Sequence, residues 1–411
     1  MPLREDSPTS DVVLTQALDR HDGRRGRSAR CELAEPNKRF PMENRRLDAV
    51  QGLRALAALL VVVAHSILSL IEKSGLSPAY EKYGLSSGAL GVRIFFVISG
   101  FIMVYTSFGN FAKDGASQNF FRKRLLRVVP LYYLATIIYC GKLGLQNNLP
   151  SIKSMFLSLL FIPYVNTAGL FRPIYGLGWT LNYEMFFYLL FSLALILKFR
   201  TGIAVISIAL LSLVLAGTQL HPTAEVGFGM HWLSFASDPI MVYFVIGIVI
   251  SYVRVRTSRS LTSWPIATVL LICSSISLVA VAGGHGGGGL SVAMVITASA
   301  CVVLTGLRSS VRDESSGSFR LQMIRGLGDA SYSIYLTHSF LIGPAARGWG
   351  LVRLDVGKTW PLFVVAMLIG CSILGLLTYR FVEKPIIDFL RRPKSRQHVF
   401  AMPAFYRETN P

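Results

Sequence analysis

Residues 50–71, VQGLRALAALLVVVAHSILSLI, form the first long apolar segment of the chain and carry two ionisable residues, Arg54 and His65. The segment is long enough to cross a bilayer as a helix. Eleven residues separate Arg54 from His65, which places them within roughly 20° of one helix face and about 16 Å apart along the axis. Ionisable groups inside a bilayer are costly, so this face is predicted to carry a functional site.

The composition is that of a polytopic membrane protein. Of 411 residues, 52% are hydrophobic and 15% are charged, and the mean hydropathy of +0.50 is too high for a soluble enzyme of this length. The net charge of +19 falls mainly in short segments between apolar runs, as in cytoplasmic loops, so we expect no nucleic-acid partner. The five cysteines are scattered and predict neither a disulfide framework nor a metal site.

Ten apolar runs predict an all-α protein with about ten transmembrane helices. They are 50–71, 88–107, 127–142, 176–197, 202–220, 239–253, 264–282, 289–307, 329–346 and 360–381. A further run, 152–165, is ambiguous between a short span and a re-entrant or interfacial helix. With ten spans and a cytoplasmic N-terminus, most of the 41 Lys and Arg residues lie in inner segments. We therefore expect both termini to be cytoplasmic.

The polar ends of the chain are predicted to be tails of the membrane domain. Residues 1–46 are mixed in charge and lack the apolar core of a secretory signal, which indicates a disordered cytoplasmic N-terminal tail. Residues 47–390 form the predicted transmembrane domain, and 391–411 form a cytoplasmic C-terminal tail. The run GGHGGGG at 283–289 lacks the Lys and Ser or Thr of a phosphate-binding loop and is interpreted as a flexible turn.

His65 and Arg54 each have a functional and a structural interpretation. In the predicted orientation His65 lies in the outer half of the bilayer, where a near-neutral imidazole can act as general base towards a hydroxyl. A buried histidine that a neighbouring helix satisfies is the alternative. Arg54 lies near the cytoplasmic end of the span, and its side chain can instead extend to the interface.

Two further segments place polar residues inside aromatic helices. GVRIFFVISGF, 91–101, contains Arg93 and the pair Ser99 and Gly100, where small side chains admit a ligand or simply another helix. GWTLNYEMFFY, 178–188, contains Glu184. A carboxylate in this setting needs a partner, and Arg93 and His65 are of the right kind.

Basic and hydroxyl-rich motifs complete the candidate residues. Four cations in RKRLLR, 122–127, can clamp phosphates or can anchor the chain to lipid headgroups. In YSIYLTH, 332–338, Tyr335 and His338 are three residues apart and share a helix face, where they can form a hydrogen-bonding edge. In FVEKP, 381–385, we expect Glu383 to form a structural ion pair with a basic loop.

Together these motifs resemble the membrane-bound acyltransferase 3 family, bacterial proteins that move acetyl and related acyl groups onto extracytoplasmic sugars. The resemblance covers about residues 45–390. It rests on six motifs in the family's order: RLDAVQGLRALAALLVVVAHS, FFVISGF, RKRLLRVVPLYY, WTLNYE, YSIYLTH and FVEKP. The opening ENRRLDAVQGLRA is most similar to bacterial exopolysaccharide O-acetyltransferases.

The resemblance implies a donor, an acceptor and a location. The donor is acetyl-CoA or another acyl-CoA on the cytoplasmic side, and no metal is required. The acceptor is a saccharide, free or lipid-linked, at the outer face of the bacterial inner membrane, where the protein contacts lipids and the polysaccharide biosynthesis machinery.

The resemblance also implies roles for individual residues. His65 would deprotonate the acceptor hydroxyl, Arg54 would guide or polarise the donor, and Glu184 would orient these catalytic groups. The donor phosphates would be held by Arg122, Arg124 and Arg127. The predicted substrate-binding residues are Arg93, Ser99, Trp179, Tyr335 and His338.

Two other classes of function fit intramembrane charge. A transporter or flippase for polysaccharide precursors would use Arg, His and Glu without covalent chemistry. A membrane sensor or scaffold would leave His65 and the basic cluster dispensable. Transfer from acyl-CoA by the purified protein distinguishes the acyltransferase from both.

Overall fold

A computed structural model describes residues 48–166, 169–220, 227–256, 319–352 and 355–391. These residues belong to a unit that begins at Arg46, and the preceding unit, Met1–Arg45, lies outside the described residues. The described part is nearly all helical, and its extended pairing is one isolated bridge between Val165 and Phe171. The predicted spans 264–282 and 289–307, the glycine-rich turn and residues 392–411 also lie outside the described residues.

Within the described ranges the chain forms twelve α-helices. They are α1 (Asp48–Ser74), α2 (Glu81–Ser107), α3 (Ala116–Leu145), α4 (Ile152–Leu159), α5 (Trp179–Ala194), α6 (Phe199–Leu220), α7 (Gly227–Ala236), α8 (Met241–Arg256), α9 (Phe319–Asp329), α10 (Ser331–Leu351), α11 (Val356–Thr378) and α12 (Lys384–Arg391). A π-helical turn, Tyr379–Glu383, joins α11 to α12. Short 3₁₀ turns precede α2 and α5 and follow α2.

Six helical segments of the described residues are long and apolar enough to cross a membrane. They are Val50–Ser74, Pro78–Asn110, Ala116–Leu145, Phe199–Gly217, Trp232–Arg256 and Val356–Arg391. Each overlaps one predicted span, and together they make the protein a multi-pass membrane protein. Two other predicted spans, 176–197 and 329–346, form α5 and α10, which are not among the six. The count of ten and the sides of the termini therefore remain predictions.

The ambiguous segment 152–165 contains only the eight-residue helix α4. Ser151 caps its first turn, because the Ser151 Oγ accepts the amide of Ser154 at 3.2 Å. Phe161 then adopts a φ of 57°, which takes the chain out of the helical conformation. A helix of about 12 Å cannot cross a hydrocarbon core of about 30 Å, so this segment is not a full span.

Helix α1 lies at the centre of the described packing, against α2, α9, α10 and α11, and α2 packs in turn against α8. Two glycines permit the contact between α2 and α8. A Cβ on Gly100 would lie 2.2 Å from the Phe244 carbonyl oxygen, and one on Gly247 would lie 2.1 Å from the Val97 carbonyl oxygen. Gly100 therefore admits a neighbouring helix.

The buried apolar residues form three clusters. The largest joins α1, α2, α3, α5, α6, α7, α8 and α10, the second joins α1, α10 and α11, and the smallest joins α1 and α2. Half-buried Phe95 of α2 packs against all three. Phe95 therefore lies where the three clusters meet.

Candidate active site

A cavity lies among α1, α2, α3, α5 and α10 and contains six of the predicted site residues. Its empty volume is about 770 Å³, which includes the part open to solvent. The predicted residues that line it are Arg54, Ser99, Arg124, Arg127, Glu184 and Tyr335. Helix packing therefore gathers residues from five separate sequence motifs around one space.

The ionisable lining of this cavity is cationic. Three guanidinium groups face one carboxylate, so the cavity suits an anionic ligand. The Nε of Arg124 and the Oγ of Ser331 are buried without a hydrogen-bond partner among the described residues. Buried polar atoms are normally satisfied, so these two are available to a bound molecule. The residues present therefore fit a phosphate-bearing ligand.

Glu184 is held at the cavity by two hydroxyl groups. Ser99 of α2 donates to its Oε1 at 3.0 Å, and Tyr188, one helical turn further along α5, donates to the same oxygen. Arg124 lies over the Tyr188 ring, 5.9 Å from its centroid. Arg54 and Arg124 both interact electrostatically with Glu184. The carboxylate is thus hydrogen-bonded by two hydroxyl groups and lies in the field of two arginines of the cavity, and neither Arg93 nor His65 is its hydrogen-bond partner.

Arg54 is fixed to the cavity by a relay of hydrogen bonds from α9. Its Nη1 donates to Gln51 Oε1 at 3.3 Å, and Gln51 Nε2 donates to Asp329 Oδ1 at 2.7 Å. The helices come close enough for this relay because residue 328 is glycine, where a Cβ would lie 2.5 Å from the Gln51 carbonyl oxygen. Gln51 and Asp329 were not predicted from the sequence. Their separation along the chain leaves no local signal for the pairing.

The basic cluster on α3 divides into two faces. Arg124 and Arg127 line the cavity, whereas Arg122 and Lys123 are exposed. The division follows from the helical period, because residues three apart share a face and residues one or two apart do not. Two of the three predicted donor-binding arginines are thus brought together, and Arg122 is not.

His65 lies outside the cavity lining and pairs with His338. The two ring centroids are 4.8 Å apart. The Nδ1 of His65 is 3.0 Å from the Val61 carbonyl oxygen, and the Nδ1 of His338 is 3.3 Å from that of Ile334. A carbonyl only accepts, so we assign the proton to Nδ1 in both rings, which leaves the lone pair of each neutral imidazole on Nε2. The Nε2 of His338 is buried and has no partner among the described residues.

Tyr335 connects the histidine pair to the cavity. It lines the cavity, and its ring centroid is 6.1 Å from that of His338. The hydroxyl hydrogen-bonds Thr180 Oγ1 at 2.7 Å and donates to the Leu177 carbonyl oxygen at 3.0 Å. The shared helix face predicted for Tyr335 and His338 thus runs from the cavity to His65.

Arg93 and Trp179 do not line the cavity. Arg93 lies over the ring of Tyr243 on α8, 5.5 Å from its centroid, and its Nη1 is buried without a partner among the described residues. Trp179 packs edge-on against Tyr183, with the ring centroids 5.9 Å apart. The structure therefore separates these two predicted substrate-binding residues from the other candidates.

Glu383 lies in the π-helical turn and is 4% exposed. It accepts a hydrogen bond from Ser333 Oγ at 2.5 Å and interacts electrostatically with Arg127 and Arg54. Two arginines of the cavity thus lie near Glu383, and one of them, Arg127, belongs to the basic cluster, while the expected ion pair with a basic loop stays a prediction. Tyr188 was not predicted as a site residue, although the sequence indicates it. It lies four residues after Glu184 and therefore shares a helix face with that carboxylate.

The comparison with protein families identifies the chain. The family model described as an acyltransferase domain matches residues 47–380. This chain belongs to the acyltransferase 3 family. The protein is therefore an acyltransferase of the membrane, with several helices long enough to span it. Within the described residues, no group of three His, Cys, Asp or Glu side chains is placed to hold a metal ion.

Three proteins are similar to most of the chain. The exopolysaccharide production protein ExoZ of Rhizobium meliloti (strain 1021) is 32% identical over 329 residues, which cover 78% of this chain and 95% of that protein. The acyltransferase MdmB of Streptomyces mycarofaciens is 25% identical over 379 residues, or 85% and 94% of the two chains. Nodulation protein 10 of Rhizobium leguminosarum bv. viciae is 25% identical over 332 residues, or 74% and 83%. No solved structure matches the chain.

Proposed function

We propose that this acyltransferase moves an acetyl or other short acyl group from cytoplasmic acyl-CoA to a saccharide hydroxyl during exopolysaccharide synthesis in the bacterial inner membrane. The similarity to ExoZ supports the polysaccharide context. The observation that carries the proposal is the cationic cavity beside a histidine pair. Arg54, Arg124 and Arg127 converge there, and Tyr335 links them to His65 and His338.

Arg124 and Arg127 bind the phosphates of the donor in this proposal. Guanidinium groups form strong, charge-assisted hydrogen bonds with phosphate oxygens, and the Nε of Arg124 has no other partner among the described residues. Arg54, fixed by Gln51, guides and polarises the donor inside the cavity. Glu184 orients Arg54 and Arg124 by its charge. Ser99 supports Glu184 through a hydrogen bond at 3.0 Å.

His65 acts as the general base on the acceptor. Its Nε2 takes the hydroxyl proton while the hydroxyl oxygen bonds to the thioester carbonyl carbon. The carbon–sulfur bond then breaks, and His65 returns the proton to the departing thiolate, which leaves free CoA and an O-ester. Tyr335 and His338 contact the reacting groups, and the unpartnered Nε2 of His338 supplies a further hydrogen-bonding position. Arg93 and Trp179 bind the saccharide away from the donor.

The positions along α1 match a reaction with substrates on opposite sides of the membrane. In the predicted orientation Arg54 lies near the cytoplasmic end of α1 and His65 lies in its outer half, about 16 Å further along the axis. The donor enters the cavity from the cytoplasm, and the acceptor reaches His65 from outside.

The function is tested by chemical analysis of the surface polysaccharide from a strain that lacks the gene. We expect one O-acyl substituent to be missing and to return when the wild-type gene is restored. The purified protein should also release CoA thiol from acetyl-CoA in the presence of the chemically de-O-acylated polysaccharide. An unchanged set of O-acyl substituents, together with no CoA release, would contradict the proposal.

A further inference from the structure

The candidate site has two parts, the cavity and the pair formed by His65 and His338, and Tyr335 lines the cavity beside His338. On α10 the cavity lining ends at Tyr335, one helical turn before His338. On α1 the lining includes Arg54 but not His65. The acyl group of a donor whose phosphates are held by the cavity arginines therefore has to extend past the boundary at Tyr335, while still bound to the donor sulfur, to reach the histidine pair.

Phe95 forms the other side of this boundary. Its ring lines the cavity and meets Tyr335 edge-on, with the centroids 5.9 Å apart and the ring planes at 73°. Phe95 lies one helical turn from Ser99, which carries the hydrogen bond to Glu184. It also packs against the cluster formed by α1, α10 and α11, and the first two of these helices carry the two histidines. Phe95 therefore contacts both the cavity and the cluster that joins the histidine-bearing helices.

The two aromatic side chains differ in how firmly they are held. Tyr335 is buried, and its hydroxyl is fixed by hydrogen bonds to Thr180 and to the Leu177 carbonyl oxygen. Phe95 is half-buried and has no polar atom to fix it. Tyr335 therefore forms a rigid wall, and the size of the side chain at residue 95 decides how much space is left beside it.

We propose that Phe95 is the specificity-determining residue that limits the acyl group passing from the donor cavity to His65 to a short chain. The proposal rests on the proposed function, since it assumes transfer from acyl-CoA. The ring occupies the space that the distal carbons of a longer chain would need. Replacing it with a smaller side chain enlarges the passage while leaving the cavity arginines and both histidines in place.

The test compares acetyl-CoA, butyryl-CoA and hexanoyl-CoA as donors to the full-length protein in nanodiscs, with de-O-acylated surface polysaccharide as acceptor. For wild type we expect kcat/KM to fall by about tenfold or more from acetyl to hexanoyl, in line with the discrimination that pockets achieve by chain length. Phe95→Ala should raise the hexanoyl-to-acetyl ratio by about tenfold, and Phe95→Leu should give an intermediate ratio. The leucine variant keeps most of the packing around residue 95. Its hexanoyl-to-acetyl ratio therefore tests the proposal even if the alanine variant folds poorly.

Phe101→Ala is the matched control. Phe101 lies on the same helix, is half-buried and stacks on Tyr105 at 5.7 Å, but it does not line the cavity. Its removal should leave the donor ratio at the wild-type value. An unchanged ratio in Phe95→Leu, or an equal loss of activity with all three donors, would overturn the role of Phe95. A wild-type protein that uses none of the donors would overturn the proposed function itself and this inference with it.

Discussion

His65 of α1 and His338 of α10 face each other with their ring centroids 4.8 Å apart. Each Nδ1 is directed at a carbonyl oxygen of its own helix, at 3.0 Å for His65 and 3.3 Å for His338. Both neutral rings consequently carry their lone pair on Nε2, the form that accepts a proton. His65 is half-buried and His338 is fully buried, so His65 is the more accessible base.

Replacing His65 with alanine should abolish acyl transfer while the protein still inserts into the membrane. The acceptor hydroxyl loses its general base, which costs about 10²–10⁴-fold in kcat. The measurement is CoA thiol release by the purified variant and the O-acyl content of the polysaccharide in the cell. Ser69→Ala, one turn further along α1, serves as the control for insertion and should retain activity. Full O-acylation by His65→Ala would rule out the general-base role.

Replacing Arg124 and Arg127 with glutamine should weaken donor binding more than turnover. Loss of charge-assisted hydrogen bonds to phosphate is expected to raise the KM for acyl-CoA by about tenfold or more, with a smaller change in kcat at saturating donor. The matched control is Arg122→Gln with Lys123→Gln, which removes the same charge from the exposed face of α3. Equal KM values for acyl-CoA in the two double variants would indicate that the basic cluster anchors the chain to lipid headgroups and does not bind the donor.

Glu184→Gln should lower kcat by about tenfold or more, because the glutamine keeps the size of the side chain but not the charge that faces Arg54 and Arg124. Tyr188→Phe removes one hydrogen bond to Glu184 and leaves the other, from Ser99, so its effect should be smaller. Steady-state kinetics of both variants checks that kcat falls more in Glu184→Gln than in Tyr188→Phe. A larger loss in Tyr188→Phe than in Glu184→Gln would show that the tyrosine, and not the carboxylate, is the important group.

Gln51 is expected to act through Arg54. Gln51→Ala should reduce kcat by several-fold to about tenfold, because Arg54 loses its link to Asp329 on α9. If both residues work through this relay, Asp329→Ala in the Gln51→Ala background should add little further loss. The double-mutant cycle in kcat measures this coupling. Fully additive losses would indicate two independent structural roles.

Gly100→Ala should destabilise the protein, because the new Cβ would lie 2.2 Å from the Phe244 carbonyl oxygen and push α2 away from α8. Overpacking of this kind costs about 1–3 kcal/mol. Gly141→Ala is the control, since residue 141 is also helical and has no atom within 4 Å of the added Cβ. Thermal unfolding in detergent should show a lower midpoint for Gly100→Ala alone. Equal midpoints would mean that α2 and α8 separate without cost.

Much of the helix order could be predicted because hydrophobic runs and their lengths are local properties. The runs at 50–71, 88–107 and 127–142 all became helices that can span a membrane. The segment 152–165 was ambiguous, since its hydropathy does not reveal the break at Phe161, where the backbone turns to positive φ. The six motifs also gave the family, which the match over residues 47–380 confirms.

The partners of the site residues could not be predicted in the same way. Ser99 binds Glu184 across 85 residues of sequence, and Gln51 binds Asp329 across 278. Gly328 permits the second pairing by allowing two helices to approach, and a single sequence does not show which glycine meets which helix. Arg93 had the residue type expected of a partner for Glu184, but helix packing directs it to Tyr243.

The sequence by itself determined that the protein is a multi-pass membrane acyltransferase, that Arg54 and His65 share one face of α1, and that Arg124 and Arg127 share one face of α3. These properties follow from composition, local motifs and the helical period of 3.6 residues. Only the tertiary structure decided that Arg54 lines the cavity while His65 pairs with His338, and that Phe95 meets Tyr335 edge-on in the cavity lining. Contacts between distant helices depend on how their side chains interlock, which the periodicity of a single helix does not contain.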